Sequence, residues 1–323
     1  MPRLRRVRPG VDPGFRRVRA GSGHRYLDTA GRACGDAHRE RIQALVIPPA
    51  WRDVWISAAP NGHIQAVGVD DAGRTQYIYH ADWAPKRDKN KYARALLLAE
   101  ALPRARGRVT ASLRQDGLDR DRVLAAAFRL LDQAAVRIGS ERHLARTGNR
   151  GLTTLQRRHA RVDAPVITLD FPGKSGKRQV IELEDPDLAD VIALLTAGRP
   201  TAALLAWSRG RRRVALTPKE VNDYVRSLTG GDFTAKDFRT LRGTIIAADT
   251  LARVGTVDTK RDRKRAEVLA VQRAAKALGN TPSVARGSYI DPRVFSRYRS
   301  GHLLDASVSS ETAIRTLILQ TVP

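Results

Sequence analysis

The chain has 323 residues, more than one compact domain usually holds, so two domains are expected. It is 42% hydrophobic and 28% charged, which excludes a disordered chain and supplies real cores. A formal net charge of +25 repels itself unless an anion neutralises it, and a phosphate backbone is the commonest such partner. One cysteine, Cys34, excludes an internal disulfide and a cysteine-rich zinc site, and the seven scattered histidines carry no HExxH pattern, so no metal is expected.

From the N-terminus, Met1-Pro2-Arg3-Leu4-Arg5-Arg6 leads into more arginine and glycine, unlike a secretory signal. No run of about 18 apolar residues predicts a transmembrane helix. The protein is therefore expected to be soluble, reduced and cytoplasmic, without a membrane partner. Residues 1 to about 22, rich in arginine and glycine, read as loose or as ordered only on DNA. Between about 40 and 80, Val54-Trp55-Ile56-Ser57, the turn Asn61-Gly62, the alternating His63–Val69 and the alternating Thr75-Gln76-Tyr77-Ile78-Tyr79 predict a small antiparallel sheet.

After Trp83 the charged stretch Pro85–Lys91 reads as a linker or a helix start, and helices dominate beyond it. Leu124, Phe128, Leu131, Ala135 and Ile138 share one face of a long helix that Gly139 can end. Val166–Phe171 and Gln179–Leu183 flank Pro172-Gly173-Lys174-Ser175-Gly176 as a hairpin. Thr217-Pro218-Lys219-Glu220 is a capping box, with Gly230 available to close its helix. Further helices are expected over about 234–253 and 260–278, the run Lys260–Arg265 being a solvated helix start. The fold class is α+β: a β-rich domain over 1–88 and a mainly helical domain containing a β-hairpin over 89–323.

Cutting a phosphodiester without metal requires a nucleophile, cations for the non-bridging oxygens and an acid for the leaving oxygen. Arginine suits the second task, because its planar fork matches phosphate and stays charged. Several segments in order resemble the type IB DNA topoisomerases, particularly the compact poxvirus and bacterial members. Arg137-Ile138-Gly139 with Asn149–Leu155 resembles the family's first arginine and its Gly-Leu-Thr-Thr-Leu strand. Phe171–Lys177 resembles the hairpin of the catalytic lysine, Lys236–Thr240 the second arginine, and Gly279-Asn280-Thr281-Pro282-Ser283 with Ser288-Tyr289 the nucleophile segment.

The resemblance implies that the helical domain is catalytic and that the two domains form a C-shaped clamp on double-stranded DNA. It implies that Tyr289 forms a 3′-phosphotyrosine, that Arg137 and Arg239 hold the phosphate, and that Lys174 protonates the leaving 5′ oxygen. Lys236 would assist the relay or hold phosphate. Gln76, Tyr77 and Tyr79 would meet the DNA groove, and His143 a backbone phosphate. Asn280 stands where the family pattern has histidine; its amide can donate the same hydrogen bond without charge or titration. No cofactor, nucleotide or metal is implied, no GxxxxGK[ST] loop is present, and a monomer acting at the bacterial nucleoid is expected. A tyrosine recombinase is the nearest rival, although Lys236-x-x-Arg239 and the short Asn280–Tyr289 spacing favour the topoisomerase. A non-enzymatic architectural DNA-binding protein is the rival from another class.

Overall fold

The computed structural model describes residues 3–21 and 23–320, with the side chains of 84–89 and 175 outside the description. Its contacts divide the chain into two compact units, Met1–Asn90 and Lys91–Pro323. No helix among the described residues is long and apolar enough to cross a membrane.

The first unit is a five-stranded antiparallel sheet of β1 (Gly14–Ala20), β2 (Gly23–Leu27), β3 (Arg52–Ser57), β4 (Ile64–Val69) and β5 (Thr75–Tyr79), ordered β2-β1-β3-β4-β5. Helix α1 (Asp36–Ala44) lies between β2 and β3 in the chain. Phe15, Val54, Ile56 and Ala66 bury one face of the sheet with Ile42 of α1, Ile78 packing at the margin. The three later strands follow the alternation of their sequences. The expectation of a loose segment up to residue 22 is corrected by β1. Phe15 pairs opposite Ile56 and is buried, which draws the arginine-rich segment into the sheet. Arg17 donates to the carbonyls of Pro48 at 3.0 Å and Pro49 at 3.3 Å, so its charge caps loop carbonyls while its stem lies on the sheet.

The second unit begins within α2 (Trp83–Leu113), so the charged stretch before Lys91 is helical. At its centre is α3 (Arg120–Ala134), N-capped by Asp119, whose carboxylate accepts the Arg122 N–H at 2.7 Å. Nearly every residue of α3 is buried, and Phe128 meets Phe238 edge to face at 5.3 Å. Burying such a ring contributes about 1.5–3 kcal/mol, enough to make α3 the pillar on which the other helices pack. The helix α4 (Glu141–Thr147) and a 3₁₀ turn over Leu152–Thr154 follow. A three-stranded antiparallel sheet, β6 (Ala160–Asp163), β7 (Val166–Pro172) and β8 (Arg178–Glu184), contains the expected hairpin and one further strand. Then come α5 (Pro186–Thr196), the pair β9 (Ala206–Arg209) and β10 (Arg212–Ala215), and α6 (Pro218–Thr229), with its Thr217–Glu220 capping box and left-handed Gly230. The chain ends in α7 (Ala235–Val254), α8 (Lys260–Leu278), α9 (Pro282–Ser288), α10 (Arg293–Arg299) and α11 (Ser310–Leu319).

Two expectations are corrected. Helix α3 stops at Ala134, four residues before the position expected from Gly139, because Ala135 adopts a left-handed conformation with φ 48°. That conformation costs about 1–2 kcal/mol in a residue with a Cβ. The Gly151–Leu155 segment is a 3₁₀ turn and not a strand.

Candidate active site

The early end of α3 frees its last carbonyls and lets Val136–Ser140 leave the helix as irregular chain. Arg137 is placed by that departure. Its carbonyl accepts the Leu152 N–H at 2.8 Å and the Ile138 carbonyl accepts the Thr153 N–H at 2.9 Å, so the 3₁₀ turn grips the arginine's main chain. The grip needs two glycines. A Cβ on Gly151 would lie 2.5 Å from the Arg137 carbonyl oxygen, and one on Gly139, at φ 75°, would lie 2.9 Å from Gly151.

Arg239 lies on α7 and is 4% exposed. Its Nη1 donates to the Ala135 carbonyl at 2.5 Å and its Nη2 to the Leu278 carbonyl at 2.8 Å. Arg137 Nη2 donates to the Gly279 carbonyl at 3.2 Å and to Asn280 Oδ1. Both guanidiniums therefore rest on the C-terminal carbonyls of helices, groups that lack a partner within their own helix and carry partial negative charge. Helix α8 ends in a Schellman turn, with left-handed Gly279 and the Asn280 N–H on the Ala275 carbonyl at 2.9 Å, which presents those carbonyls.

The hydrogen-bond partners of both guanidiniums are neutral oxygens, unlike Arg94, which is paired to Asp237 at 2.9 Å, or Arg129, paired to Asp185 at 2.7 Å. Burial lowers the pKa of Arg137 most, with repulsion from Arg239 adding to it and Tyr289 opposing; the result is about 10. Arg239 is likewise lowered by burial, with Tyr289 acting in the other direction. The arrangement is a pair of oriented cations whose charge is left for an anion.

Tyr289 is half-buried at the end of α9, its ring centroid 4.8 Å from Arg239 Cζ. Burial raises the phenol's pKa, but Arg239, Arg137 and Lys236 outweigh it, so the phenol titrates below its usual 10. Its main chain is fixed from α7. A Cβ on Gly243 would lie 2.7 Å from the Tyr289 carbonyl oxygen, so only glycine admits this approach. The Thr244 hydroxyl lies 3.3 Å from the same oxygen and accepts the Asp291 N–H at 3.1 Å. Asn280 Oδ1 being taken by Arg137, its buried Nδ2 is left without a protein partner, a donor available to a bound group.

The β7–β8 hairpin meets this cleft at its base. Gly173, Gln179, Arg150, Arg137 and Arg239 line one recess. Gln179 fills the space that side chains on Gly173 and Gly279 would occupy, its Oε1 lying where a Cβ of Gly279 would intrude. The tip is tied down by the Gly176 N–H on Asn149 Oδ1 at 3.1 Å and the Arg150 N–H on the Pro172 carbonyl at 2.8 Å. Lys174 is exposed at that tip, in a 3₁₀ turn over Lys174–Gly176.

The structure thus brings together Arg137, Arg239, Asn280 and Tyr289, with Lys236 exposed nearby on α7 and acting on the phenol through its charge. It leaves His143 exposed on α4, outside those contacts. In the first unit Tyr77 and Tyr79 are 45% and 40% exposed on the edge strand β5, their rings stacked at 5.9 Å. Strand alternation puts Gln76 on the opposite face, half-buried and donating to Asp70 Oδ2 at 2.8 Å. Gln179, Gly243, Thr244 and Arg150 were not singled out from the sequence. Gly243, a glycine inside a strong helix, is the one sequence signal that could have marked a close approach. Among the described residues no group of three or more His, Cys, Asp or Glu side chains could hold a metal.

Residues 80–300 match the family model described as eukaryotic DNA topoisomerase I, catalytic core, and residues 23–70 that of the bacterial DNA topoisomerase IB N-terminal domain. The chain is similar to the DNA topoisomerase 1B of Acanthamoeba polyphaga mimivirus, with 28% identity over 258 residues, 78% of this chain and 77% of the relative.

Proposed function

The chain belongs to the type IB DNA topoisomerase family and acts on DNA, and from that premise we propose that it relaxes supercoils by transient cleavage of one strand at Tyr289, without ATP or metal. The observation that carries the reading is the pair of guanidiniums, Arg239 buried and Arg137 half-buried, oriented by helix-end carbonyls beside a phenol of lowered pKa.

In this mechanism Tyr289 Oη attacks the scissile phosphorus, forming a 3′-phosphotyrosine as the bond to the 5′ oxygen breaks. Arg137 and Arg239 hold the non-bridging oxygens, where charge builds in the pentacoordinate transition state. Asn280 Nδ2 donates a further hydrogen bond. Lys174 delivers the proton to the leaving 5′ oxygen, and Lys236 supports the phenolate through space. The freed end swivels, and the 5′ hydroxyl then attacks phosphorus to expel Tyr289. Supercoil torsion is the driving force, and the arginines supply the electrostatic stabilisation a metal would otherwise give.

The same reading assigns residues 1–88 to DNA grip and 89–323 to catalysis, the two clasping the duplex as a C-shaped clamp. Gln76, Tyr77 and Tyr79 contact the groove and His143 a backbone phosphate. The enzyme works as a monomer at the nucleoid. The test is relaxation of negatively supercoiled plasmid in EDTA without ATP, beside Tyr289→Phe. Relaxation by the wild type and none by the variant is the expected result. DNA binding with no relaxation would overturn it; a covalent adduct trapped by denaturant would then indicate a recombinase, and none an architectural protein.

A further inference from the structure

The basic run Lys260-Arg261-Asp262-Arg263-Lys264-Arg265 forms the first turns of α8. Positions 260, 263, 264 and 267 share one helix face, three or four residues apart. Facing them are Arg286 of α9 and Arg299 of α10, and together these six line a cavity of about 660 Å³. The one acid in that lining is Glu267, which is buried. Its carboxylate accepts from Arg299 Nε at 2.7 Å and Nη2 at 2.8 Å, and from Arg286 Nη2 at 3.4 Å. The Arg286 guanidinium also stands 4.6 Å from the Phe295 ring centroid. Glu267 therefore orients two arginines without neutralising the cavity, where five cations meet one carboxylate. Asp262 is engaged elsewhere, with Thr259 and Arg265.

Lys260 and Arg263 also stand at or beside the first turn of α8, where the helix dipole disfavours a cation. Asp262 in the first turn, the Asp258 carbonyl that accepts from Arg263 Nη2 at 3.4 Å and Glu267 offset part of this crowding, but cations remain in excess in the lining. The guanidinium N–H groups that Glu267 leaves over, held in fixed orientation with the ammonium groups of Lys260 and Lys264 around them, suit the oxygens of a phosphate. From Glu267 to Leu278, whose carbonyl holds Arg239, α8 rises about 16 Å, too far for one phosphate to reach both places.

We propose that this cavity is a second phosphate-binding site, separate from the Arg137–Arg239 cleft. Its ligand is a phosphate oxyanion, supplied either by the backbone of the bound duplex or by a free polyphosphate. Arg286 belongs to the short helix that ends at Tyr289, so an anion held here also steadies the tyrosine's segment.

The test uses the full chain carrying Tyr289→Phe and compares Lys260→Gln/Lys264→Gln with Arg261→Gln/Arg265→Gln. Both pairs remove two positive charges from the same turns of α8, but the second lies outside the cavity. Circular dichroism melting checks that both fold. Calorimetry with sodium tripolyphosphate is expected to show at least a tenfold loss of affinity in the first pair and under twofold in the second, or fluorescence anisotropy of a duplex across a salt series is expected to show a difference. Every backbone phosphate that the protein no longer neutralises makes the slope of log K against log salt shallower by about 0.9. A shallower slope confined to the first pair identifies the DNA backbone as the source. A loss of tripolyphosphate affinity confined to the first pair, with equal slopes, identifies free polyphosphate. Equal behaviour of the two pairs in both measurements overturns the site. Only the duplex arm rests on the DNA reading above, and both arms read binding, so failure here is separable from failure of Tyr289 as nucleophile.

Discussion

Asn280 and Lys236 are the two side chains whose contributions are most cleanly separable from folding. The amide of Asn280 is oriented by Arg137 and keeps a buried Nδ2 donor, which supplies direction but no charge. Asn280→His is expected to relax plasmid faster than wild type and to introduce a histidine titration into the rate profile. A variant no faster than wild type would show that the amide is not the weaker substitute. Lys236 is one of three cations that draw the phenol's pKa down. Removing it leaves burial less opposed, so the phenol titrates higher and less phenolate is present at a given pH. Lys236→Gln is expected to displace the pH profile of single-turnover cleavage toward alkaline pH, with a rate at neutral pH roughly three- to tenfold lower. If the whole profile fell without moving, Lys236 would be acting by position and not by charge. The residue types at these positions were legible through the resemblance to a family. What holds them was not: the cradle of the arginines is made of main-chain carbonyls, which every residue possesses and no side-chain pattern announces.

At the scale of elements, legibility followed the capping chemistry. Helix α8 begins and ends where Thr259 and Gly279 say it should, and α6 follows its capping box. By contrast α3 ends at Ala134, with neither glycine nor proline at Ala135 to mark the place. Its end is set by tertiary demand, since the Ala135 carbonyl must face Arg239. Strand β1 was hidden because its arginines mask the period of two, leaving Phe15 as the one apolar anchor. The contact between α7 and the tyrosine segment yields a prediction of its own. Gly243→Ala would force a methyl group to within 2.7 Å of the Tyr289 carbonyl oxygen. Overpacking of this kind costs about 1–3 kcal/mol, and a displaced nucleophile loses up to about 100-fold in rate. The expected outcome is a lower melting temperature and at least tenfold slower cleavage with duplex affinity unchanged. Unchanged cleavage would mean that α7 does not position the tyrosine.

For the molecule as a whole, the charge of +25 is the property read most directly from composition. Duplex affinity is expected to fall steeply with salt, by about 10³–10⁵ between 50 and 200 mM if six to ten phosphates are contacted. A flat dependence in an anisotropy titration would contradict a binding mode dominated by backbone phosphates. The change from alternating to helical patterning suggests two units, whereas the run of charges over Pro85–Lys91 leaves a linker and a helix start both open, and the chain is helical there. The build of α7 bears on how such an enzyme withstands its substrate. Arg239, Gly243 and Thr244 sit within two turns of a single helix, and the last two seat the main chain of Tyr289. A helix moves as a stiff rod, so in the proposed mechanism a wound duplex pulling on this region would shift Tyr289 and Arg239 together. Torque would then be borne as common translation, and the broken strand would find the resealing geometry still intact.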